Sequence, residues 1–256
     1  MSKFRLDGKT ALVTGGSKGI GFGVATSLAE AGAHLSLVAR NQNDLEHARS
    51  QIKELSPDTI VHVYPFDMTQ IDSITDLFSQ ISKDMNGIDV LVNNAGGTRR
   101  GPAESISIDD WQFVMTLNVT SVFVLSQAFA QDRIHRKLGG KIINIASVLS
   151  EVVREDNAPY AASKGAIRQL TKSLAIDWAK YKINVNGIGP GYITTELTQP
   201  LWQDEDFSRQ ILQKTPLARW GTPTDIGSVA VFLATDASDF MTGQIVYAEG
   251  GLISRF

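Results

Sequence analysis

Short runs of aliphatic and β-branched residues alternate along this chain with longer segments whose apolar positions recur every three or four residues. The short runs fit buried strands and the longer segments fit amphipathic helices. The pattern predicts strands at residues 10–13, 35–39, 60–66, 88–92, 141–146, 183–188 and 244–248. Between them it predicts helices over 19–31, 42–55, about 70–85, about 108–136 and 159–179, then further helical material through 195–235. Strands separated by helices require right-handed crossovers and a parallel sheet covered on both sides. The expected fold is α/β and doubly wound, with about seven parallel strands and helices on both faces. No linker, repeat or low-complexity stretch breaks residues 1–256 into more than one domain. Residues 192–216 differ in texture, with Pro200, Trp202 and the acidic run Asp204-Glu205-Asp206. They are expected to form an insertion covering a site and excluding water. A fixed surface hairpin is the alternative.

Composition narrows the function classes. The chain has 24 Lys+Arg against 27 Asp+Glu, a net charge of -3, so no basic excess points to nucleic acid or an anionic membrane. With no cysteine, disulfides, thiolate zinc sites and thiol nucleophiles are excluded. His34, His47, His62 and His135 are scattered without ligand spacing, and no catalytic metal is expected. The N-terminal M-S-K-F-R-L-D-G-K lacks the apolar core of a signal peptide. No uninterrupted apolar run approaches membrane-spanning length. A cytoplasmic enzyme acting on a small molecule is the expectation.

The chemistry gathers around Y-A-A-S-K, residues 160–164. Tyr160 and Lys164 are four apart, hence on one helix face, and Ser147 lies 13 residues upstream. A lysine cation near a phenol favours the phenolate and is expected to lower its pKa from about 10. A serine hydroxyl nearby could hold a carbonyl oxygen. Such a group performs acid–base work on C=O or CH–OH, provided a hydride carrier lies beside it.

The turn T-G-G-S-K-G-I-G, residues 14–21, follows the first strand and opens the first helix. Glycines there permit a tight path and close approach to a pyrophosphate, and the helix N-terminus supplies unpaired N–H groups. A Rossmann-type dinucleotide cradle is the expectation, with a plain strand–helix turn as the alternative. The second strand ends in V-A-R-N without the carboxylate that commonly binds a ribose 2′-OH. Arg40 could instead pair with a 2′-phosphate, and Lys18 could reach the same group. NADP(H) is therefore expected over NAD(H), unless Lys18 and Arg40 are merely solvated surface charges.

The T-G-x-x-x-G-x-G turn, Asn93-Asn94-Ala95-Gly96, Ser147 and Tyr160-x-x-x-Lys164 together resemble the short-chain dehydrogenase/reductase family, over essentially the whole chain. The resemblance implies a catalytic set of Asn118, Ser147, Tyr160 and Lys164. In it Asn118 holds a water leading to the lysine, Ser147 binds the substrate oxygen, Tyr160 transfers the proton, and Lys164 binds the nicotinamide ribose and acidifies the tyrosine. It also implies the cofactor contacts: Gly15, Ser17, Lys18, Gly19, Ile20 and Gly21 in the turn, then Arg40 and Asn41 after strand two. Asp67 and Met68 would lie near the adenine, and Asn94 and Gly96 beside the central strand. Tyr160 and Lys164 join them at the ribose, and Pro190, Gly191, Ile193 and Thr195 at the nicotinamide. A homotetramer is implied as well.

Arg99-Arg100 after strand four, Glu151 and Arg154 before Tyr160, and Arg219-Trp220-Gly221 resemble the gluconate 5-dehydrogenases and ketogluconate reductases of that family. Gly97-Thr98 departs from their pattern. The resemblance implies a substrate site made of Arg100, Ser147, Glu151, Arg154 and Tyr160, with arginine holding a sugar-acid carboxylate. Two other functions stay open: a 3-oxoacyl thioester or broad ketone reductase, and a non-catalytic NADP-binding regulator. Loss of the tyrosine or the lysine would mark the regulator, and both residues are present.

Overall fold

The computed structural model describes residues 2–254. Its centre is one seven-stranded, fully parallel sheet in the order β3-β2-β1-β4-β5-β6-β7. The strands are β1 Thr10–Thr14, β2 His34–Ala39, β3 Val61–Pro65, β4 Val90–Asn93, β5 Gly140–Ile145, β6 Ile183–Pro190 and β7 Ile245–Ala248. The chain winds from β1 to one edge, returns to β4 beside β1, and winds to the other edge. Val13 pairs with Leu37 on one side and with Val92 on the other. At this reversal of strand order the two first crossovers leave in opposite directions, which opens a crevice beyond the strand C-termini.

The helices are α1 Gly19–Glu30, α2 Gln42–Leu55, α3 Ile74–Asp84, α4 Ile108–Met115, α5 Ser121–His135, α6 Ala158–Trp178, α7 Gln199–Trp202, α8 Glu205–Lys214 and α9 Pro223–Ala234. Successive strand residues feed opposite layers. Val13, Leu35 and Leu37 pack with Val24 and Leu28 of α1 and Ile226 and Leu233 of α9. Leu12 and Val38 pack on the other side with Leu77 and Ile81 of α3, Phe129 of α5 and Leu174 of α6. Both faces are covered, which explains why the strands read as continuous apolar runs rather than alternating ones. Helix starts follow local chemistry. Asn41 caps α2 by accepting from the Asp44 N–H at 3.0 Å. Thr222 and Asp225 form a reciprocal capping box ahead of Pro223 in α9.

One expectation needs correction. The helix expected over 108–136 is not uniformly α-helical: residues Thr116–Thr120 form a π-helical turn between α4 and α5. Apolar periodicity reports a face but does not resolve one inserted residue. The run Ile108–His135 is also long and apolar enough to cross a membrane, with a best-window mean hydropathy of 1.6, yet half of that window is buried inside the protein. That run holds Asp109, Asp110, Asp132 and Arg133, so it is not an uninterrupted apolar stretch.

Candidate active site

The glycine turn is built by its neighbours. Gly15 and Gly19 have φ of 63° and 55°, left-handed values that L side chains rarely adopt. The Gly15 N–H donates to the Val38 carbonyl at 2.7 Å. Asn94 Nδ2 donates to the carbonyls of Thr14 at 2.9 Å and Gly15 at 3.1 Å. The Asn94 and Ala95 N–H groups both donate to Thr14 Oγ1 at 3.0 Å. Gly21 lies behind the turn, where a Cβ would stand 2.1 Å from the Gly15 oxygen. Lys18 occupies the cap position of α1 with extended backbone and no capping side chain, and the first turn carries no acid. The first N–H groups of α1 are thus left for an anion.

A cleft of about 840 Å³ extends from this turn across the strand ends. Gly15, Ser17, Lys18, Gly19, Ile20, Arg40, Asn41, Asp67, Met68, Asn94, Gly96, Gly191 and Thr195 line it, as do Ser147, Tyr160, Lys164, Arg100 and Arg154. Residues from six separate places in the sequence therefore meet at one crevice. Asp67 holds its own loop by accepting from the Thr69 N–H and hydroxyl, each at 2.9 Å. Pro190 ends β6 in register with Ala248. Ile193 is 4% exposed and packs into the core beneath α1 and α9. Its carbonyl accepts from Thr198 Oγ1 at 2.6 Å, and Thr198 Oγ1 in turn accepts from the Thr195 N–H at 2.9 Å.

At the chemical end, β5 delivers Ser147 and α6 delivers Tyr160 and Lys164. Lys164 is 6% exposed, and its Nζ donates to the Ile145 carbonyl at 2.6 Å and stands 5.5 Å from the Tyr160 ring centre. Burial pushes its pKa down to about 8. Tyr160 departs from the expectation: its pKa is raised from 10.0, because burial outweighs the opposing hydrogen bond of Ser147 and the charges of Arg100 and Arg154. The groups acidifying this phenol are the serine and two arginines, while Lys164 sits over the ring face rather than at the hydroxyl.

The Asn118 side chain is held on two sides. Its Nδ2 donates to the Gly97 carbonyl at 2.9 Å and to Ser163 Oγ at 3.0 Å. Its Oδ1 accepts from the Gly97 N–H at 2.9 Å. The whole amide is committed to fastening the loop after β4 onto α6.

Glu151 requires the clearest correction. Its Oε1 accepts from Arg168 Nε at 2.8 Å and from the Tyr247 hydroxyl at 2.9 Å, and it does not line the cleft. The adjacent arginines separate as well. Arg99 is taken by Asp110 at 3.0 Å and by the Phe113 ring at 4.1 Å. Arg100 and Arg154 have no carboxylate within ion-pair distance among the described residues. Arg154 Nη1 donates to the Tyr192 hydroxyl at 3.2 Å, and Tyr192 packs edge-on against Phe207 of α8 and against Trp220. Tyr192, Asp44 and Asn157 line the cleft without having been singled out from the sequence. Tyr192 sits inside the P-G-Y-I-T-T segment, which was the available signal. Asp44 lies one turn into α2, where sequence offers no clue that its side chain faces the turn of residues 14–21.

This geometry places the chain among dinucleotide-linked oxidoreductases, and comparison with known proteins shows which. The family model described as enoyl-(acyl carrier protein) reductase matches residues 15–253, and the chain belongs to the short-chain dehydrogenase/reductase family. Gluconate 5-dehydrogenase of Gluconobacter oxydans (strain 621H) is 43% identical over 97% of this chain and 96% of its own. The 5-keto-D-gluconate 5-reductase of Escherichia coli (strain K12) is 42% identical over 98% of this chain and 97% of its own. A solved gluconate 5-dehydrogenase from Burkholderia cenocepacia J2315, in complex with NADP and tartrate, superposes with a TM-score of 0.93 at 42% identity, covering 99% and 98% of the two chains.

Proposed function

We propose that the protein is an NADPH-linked oxidoreductase that interconverts a ketogluconate-type sugar acid and its alcohol. The observation that carries this reading is Arg100 and Arg154 lining the same cleft as Ser147 and Tyr160 with no carboxylate partner. A substrate carboxylate could satisfy both cations by charge-assisted hydrogen bonds. The relatives named above act, by their names, on gluconate or 5-ketogluconate.

The residues fit a dinucleotide. Gly15 and Gly19 hold left-handed conformations, Gly21 leaves space for close approach of the turn, and α1 offers its N-terminus. Arg40 at the end of β2 supports a 2′-phosphate, as does the solved relative that binds NADP. When bound, the cofactor supplies or accepts the hydride. In reduction, Ser147 Oγ holds the substrate oxygen and the Tyr160 hydroxyl gives it a proton; in oxidation, Tyr160 takes that proton back. Lys164 holds its ammonium beneath the phenol ring, within reach of a nicotinamide ribose. Asn118 fixes the loop that bears Gly96 and Gly97. Residues 1–256 act as one domain, and residues 192–216 cover the substrate end. The apolar surfaces of Phe123 on α5 and Ile176 on α6, 40% and 78% exposed, support self-association, which we take to be the homotetramer that the family resemblance implies.

The test is NADPH oxidation with 5-ketogluconate, an acetoacetyl thioester and a neutral ketone. The expected order in kcat/KM places the sugar acid first by at least about tenfold, the scale of one charge-assisted contact. Faster turnover of the thioester would select the acyl reductase instead. Absence of turnover with all three, despite tight NADPH binding, would leave a nucleotide-binding regulator.

A further inference from the structure

The cofactor end of the cleft holds a second cation whose charge is already engaged. Lys18 Nζ stands 3.1 Å from Asp44 Oδ2 and 3.4 Å from Glu196 Oε2. The three groups come from the turn of residues 14–21, the first turn of α2 and the segment entering α7. All line the cleft, together with Arg40 and Asn41. Arg40 has no ion-pair partner among the described residues, so the two basic residues differ in availability. Asp44 is the third residue of α2. An acid there commonly turns back to the N-cap N–H; here Asn41 takes the Asp44 N–H, and the carboxylate turns outward to Lys18. Two carboxylates around one ammonium leave the trio with a net negative charge, in the same cleft that Arg40 lines.

We propose that Asp44 and Glu196 are selectivity-determining residues: they hold Lys18 back from a 2′-phosphate, so the chain discriminates between NADPH and NADH less than its two basic residues would allow. A dianionic phosphate brought to this trio meets one available cation, Arg40, and two carboxylates that repel it. NADH carries a hydroxyl at that position and feels neither effect. The proposal rests on the NADPH reading, but the two can fail separately.

The experiment titrates the full-length protein with NADPH and NADH, comparing the parent with Asp44→Asn and Glu196→Gln. Each variant is expected to tighten NADPH by roughly five- to tenfold, from removing one charge several ångströms from a dianion in a largely solvated setting. NADH affinity should change by less than about twofold, and the NADPH gain should shrink in 0.5 M salt as screening shortens. If the parent favours NADPH but both variants move the two cofactors equally, the selectivity proposal falls and the NADPH reading stands. If the parent favours NADH while the variants still tighten NADPH alone, the cofactor reading falls and the proposal stands. Weaker NADPH binding in both variants would overturn the proposal, because Asp44 and Glu196 would then be positioning Lys18 for the phosphate.

Discussion

Tyr160 shows how a single residue's chemistry depends on groups far away in sequence. Burial raises its pKa, and Ser147, Arg100 and Arg154 pull it back down. Arg100→Gln should therefore move the pH midpoint for alcohol oxidation upward, because the phenolate loses a stabilising charge. Measuring kcat/KM against pH with a neutral alcohol isolates this effect from carboxylate binding; an unmoved midpoint would mean that Arg100 acts on substrate alone. Tyr160→Phe should lower kcat by at least about a thousandfold, within the range for losing a positioned proton donor, while NADPH affinity stays within a few-fold. Near-normal kcat would defeat the assigned role.

Lys164 makes a separate prediction about stability. Its folded pKa of about 8 lies below the ordinary 10.5, so between those values the unfolded chain binds more protons. Stability from this group therefore rises as pH increases from about 8 to 10.5, by up to about 3 kcal/mol. Urea unfolding at pH 7 and 9.5 should show this gain in the parent and lose it in Lys164→Met. Equal pH dependence in both proteins would remove the buried-ammonium account.

At the scale of elements, β1, the glycine turn and α1 act as one rigid cradle. Asn94 crosses from β4 to hold the turn, and Gly21 leaves the Gly15 carbonyl in place. Gly21→Ala would put a methyl group 2.1 Å from that backbone oxygen, and no flexible side chain is available to give way. The turn must shift, and cofactor affinity should fall by at least about tenfold, with a loss of stability on the order of 1–3 kcal/mol from overpacking. Calorimetric titration and thermal unfolding check both effects; affinity within twofold of the parent would show that the turn can yield without altering the cradle. The π-helical turn has a comparable local purpose. It carries Asn118 between α4 and α5, where the side-chain amide binds Gly97 and Ser163 at once.

At the scale of the whole molecule, Phe123 on α5 and Ile176 on α6 leave apolar surface that intramolecular packing does not cover. Light scattering on the purified protein should give about four times the mass of one chain. Phe123→Asp should reduce that assembly by placing a charge in an apolar contact. A monodisperse monomer for the parent protein would remove the tetramer reading.

The sequence by itself determined the alternation of strands and helices, the glycine turn after β1, and the i, i+4 placement of Tyr160 and Lys164. These are local properties: side-chain periodicity, backbone freedom at glycine and helix spacing act over a few residues. Only the tertiary structure decided that Arg99 turns to Asp110 while Arg100 lines the cleft, and that Glu151 pairs with Arg168 and Tyr247. It also decided that Asp44 and Glu196 meet at Lys18, and that desolvation raises Tyr160 despite its lysine neighbour. Those outcomes depend on which charges come within a few ångströms and how much water remains around them. Residues separated by tens to more than a hundred positions set both quantities, so no local pattern encodes them.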